Sequence, residues 1–157
     1  MRRELARHHL SRLVAWTGDD GPVPAPAGVV GLEYRGRLGH PSSYGLLMAR
    51  AAEAPGVQFD IRSTPVVLSV PCDEAVLGLT ESEYRAALSA AGLALGGGLV
   101  VTGVGEGRIG SSVVVFTRLV AVLSVLLAVG SEPVADAELW ATWDEPWRAR
   151  CAAARDA

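Results

Sequence analysis

Four groups of residues in this chain are of types that do chemistry. The first is Gly105 to Ser112, Gly-Glu-Gly-Arg-Ile-Gly-Ser-Ser. A glycine-bearing turn between a strand and a helix aims backbone N–H groups and the helix dipole at an anion. The candidate ligand contacts there are Arg108, Gly110, Ser111 and Ser112. The same residues serve equally well as a turn glycine and serine N-caps opening a core helix. The second group is Gly39 to Tyr44, where His40 stands beside Ser42 and Ser43. An imidazole next to hydroxyls is the pairing that activates a nucleophile. His40 and Asp60 are the candidate acid or base residues, with no third group placed to orient them. The third is Cys72-Asp73-Glu74. Two acids beside a thiol disfavour thiolate, so Cys72 reads as inert. The fourth is Trp140, Trp143 and Trp147, at spacings of three and four, which bring them near one helical face. Indoles are enriched at interface hot spots, so these three are the candidate partner surface. Packing back on their own domain is the competing reading.

Other classes are excluded or disfavoured. The chain has 14 basic residues and contains no Lys, so a P-loop lysine and Schiff-base chemistry are ruled out. The all-arginine usage reads as that of a GC-rich bacterial genome. The net charge of −3 argues against nucleic acid, whose binders carry basic patches. His8 and His9 are adjacent and cannot share a helix face as i, i+4 metal ligands do. No metal and no cofactor is expected. Two cysteines without a CxxC pair fit a reduced cytoplasmic protein. Val113 to Val129 is apolar but shorter than a bilayer span and interrupted by Arg118, so a buried helix is expected and membrane attachment is unlikely on those grounds.

These residues need elements to position them. Leu5, Leu10, Leu13, Val14 and Trp16 recur at roughly helical spacing, predicting an N-terminal helical arm over 1–16. Residues 17–28 hold three prolines and three glycines and read as a linker. The α/β core is placed at 29–130. It comprises a strand at 29–38, a helix from Ser42 to about Ala54, an alternating strand at 57–62, a buried strand at 66–70, and a loop at 71–79. A helix then follows Thr80 with Glu83 as a capping box, with a strand at 99–104 and the apolar helix at 113–129. A helical tail, 131–157, is expected to pack on this core and to restart at Asp144-Glu145-Pro146. Strands alternating with helices define an α/β (α+β) fold, a single mixed sheet with packed helices.

Arg108-Ile109-Gly110-Ser111-Ser112 before a long apolar helix resembles the phosphate-binding loop of the GHMP family of small-molecule kinases, over residues 57–129 or so. Only Gly110, Ser111 and Ser112 match that loop residue by residue. The resemblance implies the ribosomal-S5-second-domain type of fold and an anion at those three residues. Without a complete catalytic set, the expected function is a non-catalytic accessory or interaction subunit that forms a homo-oligomer or binds a partner protein. The alternative is a small enzyme or binding protein for an anionic or phosphorylated small molecule at 105–112.

Overall fold

The computed structural model describes residues 1–5, 10–37, 40–62, 65–71, 73–78 and 82–155, without the side chains of 147–155. It is a mixed α+β structure, a curled sheet with three helices. The strands are β1 (Arg2–Glu4), β2 (Arg12–Trp16), β3 (Val30–Arg35), β4 (Tyr44–Ala52), β5 (Gly56–Phe59), β6 (Val66–Val70), β7 (Asp73–Leu77) and β8 (Gly98–Gly107). The helices are α1 (Ser82–Leu95), α2 (Val113–Val129) and α3 (Asp136–Arg155). The spatial order is β1-β2-β3-β4-β8-β7-β6, antiparallel throughout, and β5 adds a parallel pairing to β8. The sheet is therefore mixed, but its elements do not alternate as the sequence suggests: among the described residues, seven strands precede α1.

Both faces of the sheet carry a core. On the helix face, Leu13, Ala15, Leu32, Leu47, Ala49 and Val101 pack beneath buried residues of α2 such as Phe116, Leu119 and Leu123. On the outer face, Trp16, Leu46, Met48, Leu68, Ala75 and Leu77 form a second cluster with Ala25 and Val29. Two-sided burial explains the largest departures from the sequence reading. Residues 1–16 are not a helical arm. Arg2 pairs with Trp16 and Glu4 with Val14, so both ends of this segment are strands of the sheet, while 6–9 lie outside the described residues. Residues 44–52 are not a helix but the central strand β4, whose Tyr44, Leu46 and Met48 face outward and whose Gly45, Leu47 and Ala49 face the helices. A strand buried on both faces reads as a continuous apolar run with no polar alternation. Leu, Met and Ala then score as helix formers, and tertiary packing overrides that preference. Gly45 is needed in β4: a Cβ there would lie 2.5 Å from Val115 and 2.9 Å from Leu119.

The remaining corrections are local. Residues 73–77 are the strand β7 rather than loop, and β8 runs on to Gly107, which shortens the Gly/Ser loop to 108–112. The tail forms one helix, α3, that continues through Pro146 instead of restarting there. The 17–28 segment is folded onto the outer face. Ala25 N–H donates to Gly18 O at 2.8 Å, and the Trp16 indole N–H donates to Val23 O at 2.9 Å. Helix α2 keeps the bounds its apolar run predicts, with Ser112 as N-cap accepting from Val115 N–H. Its β-branched composition is poor for an isolated helix. Burial against β3 and β4, between α1 and α3, is what holds it.

Candidate functional site

The loop at 108–112 has the geometry of an anion seat, and the chain's own Asp73 sits in it. Asp73 lies at the start of β7, beside the end of β8. One carboxylate oxygen accepts from Glu74 N–H at 2.8 Å and Ile109 N–H at 3.1 Å, and the other accepts from Gly110 N–H at 2.9 Å. The serines are equally committed. Ser111 Oγ accepts from Gly107 N–H at 2.8 Å and donates to Tyr44 O at 3.1 Å. Ser112 caps α2, and its hydroxyl lies 3.0 Å from that of Ser42. Tyr84 O–H donates to Ser111 O at 3.2 Å, and Arg108 pairs with Glu74 at 3.1 Å on the surface. Of the four expected ligand contacts, Gly110, Ser111 and Ser112 thus spend their groups on closing the fold, and Arg108 meets a carboxylate of its own chain. Where the sequence suggests an open anion site, these groups bond within the chain. The sequence places Asp73 thirty-seven positions from Gly110, and only the β7–β8 pairing brings them together.

Asp73→Ala leaves two loop N–H groups and that of Glu74 without their acceptor. Charge-assisted bonds to backbone contribute more than neutral ones, so the expected loss is about 2 kcal/mol, measured by urea denaturation. Millimolar inorganic phosphate is expected to raise the melting temperature of the variant and not of the wild type, since only the variant has the seat empty.

His40 and Asp60 are not brought together. His40 is exposed in the turn before β4, where its Nδ1 accepts from Ser42 N–H at 3.1 Å. Asp60 N–H donates to Val101 O, beside the far half of β4. The two are separated by about five strand residues, roughly 17 Å. Asp60 is held by Arg62 at 2.5 Å. Cys72, His8, His9 and Thr80 lie outside the described residues, as does the side chain of Trp147. Among the described residues, no cluster of three or more metal-ligating side chains occurs, and no helix is long and apolar enough to cross a membrane.

Trp140 and Trp143, candidates for a partner surface, lie inside the chain's own core. They are 6% and 3% exposed. Trp143 stacks on Tyr34 with ring centroids 4.2 Å apart, meets Trp140 edge-on at 6.3 Å, and lies under the Arg118 guanidinium at 5.5 Å. The two indoles close the helix-face core, as an amphipathic tail packed on its own domain does.

A polar row crosses the outer face. Register places Arg12 opposite Arg35 and Arg35 opposite Tyr44. Arg12 pairs with Glu4, and Arg35 with Glu33 at 2.9 Å. Glu33 is the one charged residue among the described residues that is buried, at 5% exposure. Burial, and then the Glu33 charge, raise the Tyr44 pKa far above the ordinary phenol range, so Tyr44 stays neutral. The row is charge-balanced and structural.

Two features that the sequence reading passed over complete the inventory. The sheet ends on one side in β1, Arg-Arg-Glu, and on the other in β6, Val-Val-Leu-Ser-Val. Among the described residues β7 is the sole ladder partner of β6, and Val66 and Val67 are 47% and 68% exposed. On the outer face, the 17–29 segment roofs a cavity of about 550 Å³.

The fold and these surfaces define a mixed α+β protein built on a two-sided curled sheet. Set against known protein families, curated proteins and solved structures, the chain matches none of them.

Proposed function

We propose that this protein is a non-catalytic assembly subunit that pairs with a second copy of itself through the edge of β6. The observation that carries the reading is the unprotected edge. Natural sheets blunt their edges with charge, proline, bulges or short strands. Here β1 does so, with three charged residues. β6 does not: its five residues hold no charge, no proline and no bulge, and Val66 and Val67 are exposed.

The edge is self-complementary. Antiparallel pairing about a two-fold axis at Leu68 sets Val66 against Val70 and Val67 against Ser69 of the second copy. Such pairing extends the sheet by main-chain hydrogen bonds, the mode of strand addition, and a two-fold arrangement closes without forming fibres. The filled seat at 108–112 and the separation of His40 from Asp60 support a subunit without a catalytic centre. The finer fold assignment, to the ribosomal-S5-second-domain type, is part of this proposal. A parallel β5–β8 pair joined by a connection that includes α1 supports it.

Native mass spectrometry of the untagged protein tests the reading. The wild type is expected to be a dimer whose melting temperature rises with protein concentration, and Val67→Lys, which places a like charge near itself across the axis, a folded monomer whose melting temperature does not. A wild-type monomer, or a dimer indifferent to Val67→Lys, would overturn it.

A further inference from the structure

We propose that the outer-face cavity binds a small amphipathic anion, an apolar body carrying one carboxylate-type group, with Arg50 as the residue that meets the charge. The volume of about 550 Å³ falls within the range of small-molecule sites, roughly 300–1,000 Å³. The floor is apolar, made by Met48, Leu77 and Val66. The roof is Val23, Pro24 and Pro26 of the folded-over segment, pinned by the Trp16 indole and the Gly18–Ala25 pairing. Two prolines and these anchors make the roof stiff, so a ligand meets a cavity that is already formed.

The rim decides which ligand fits. Its polar side chains are Arg50, Asp60, Arg62 and Thr102. Asp60 and Arg62 are bonded to each other at 2.5 Å, and Thr102 O–H donates to Met48 O at 3.4 Å. Arg50, two residues beyond Met48 on the same face of β4, makes no ion pair among the described residues. One uncompensated guanidinium over an apolar floor selects a ligand with an apolar body and a single negative charge. A dianionic phosphate alone would have one cation and no polar floor, and a cationic amphiphile would meet repulsion. Val66 of β6 lines the cavity and Val67 does not, so Val67→Lys, the variant that tests the β6 edge, leaves the cavity lining unchanged and the two readings fail separately.

Isothermal titration tests it, with decanoate and decyltrimethylammonium each below its micelle concentration and decanol below its solubility limit. Decanoate is expected to bind the wild type saturably at one per chain, decanol more weakly, and the cation not at all. Arg50→Ala is expected to weaken decanoate roughly tenfold while leaving decanol unchanged, and Arg50→Lys to restore most of the loss. Ala27→Trp, on the exposed roof, is expected to block both. Absence of saturable decanoate binding would overturn the proposal. So would equal affinity for decanoate in the wild type and Arg50→Ala, or binding that ignores Ala27→Trp.

Discussion

Trp16→Ala is expected to cost about 3–5 kcal/mol of folding stability, a large part of the roughly 5–15 kcal/mol that holds a domain together. The indole is fully buried on the outer face. It lies flat over Gly21 and Gly31, where any side chain would run into the ring. Its N–H bond to Val23 O is the tie that brings the 17–28 segment down onto the sheet. Removing it loses the apolar area, leaves a cavity and releases the roof. Trp16→Phe keeps much of the packing and loses the hydrogen bond, so it is expected to cost less than half as much. Urea denaturation of the two variants checks the order, and limited proteolysis is expected to cut Trp16→Ala within 17–28 before it cuts the wild type. A loss near 1 kcal/mol for Trp16→Ala would show that the outer-face cluster does not act as a core.

Trp143→Ala is expected to be comparably damaging, about 3–5 kcal/mol, and to leave the subunit number unchanged. The ring is sandwiched between Tyr34 and the edge of Trp140, with the Arg118 guanidinium over it. Its loss therefore opens the helix-face core where α3 meets β3. The aromatic contacts add about 0.5–1.5 kcal/mol each beyond area burial. Thermal unfolding and native mass spectrometry on the same sample separate the two roles. A variant with native stability and altered subunit number would return the tryptophans to an interface role.

The difference between the legible and the hidden parts of the fold has a physical origin. β3, with Leu32 and Tyr34 on one side and Glu33 and Arg35 on the other, carries its signal in alternation, and so does β5. α2 declares itself by length, apolarity and the Ser112 cap. β2 and β4 give no such signal, because Leu13–Trp16 and Tyr44–Ala49 are buried on both faces and carry no charge. Trp16 illustrates the cost. Its spacing from Leu13 suits a helix, and nothing local reveals that it points to a second core. Asp73 was hidden for a different reason. The strand–turn–helix pattern correctly marks backbone N–H groups that want an anion, but the anion is a side chain delivered by a distant strand. The β6 residues are legible as a strand, but their apolar run reads as a buried one, whereas Val66 and Val67 are exposed. Whether that strand is central or at an edge is a property of the sheet order, which local sequence does not encode.

The central claim concerns that edge, and peptide-resolved hydrogen exchange of β6 at high and low protein concentration tests it most directly. The amides of β6 that point away from β7 have no ladder partner among the described residues of one copy. If two copies pair there, exchange over 66–70 slows markedly in the concentrated sample and accelerates on dilution, while β4 and β8 exchange equally in both. Exchange over 66–70 that is the same at both concentrations would contradict pairing through β6.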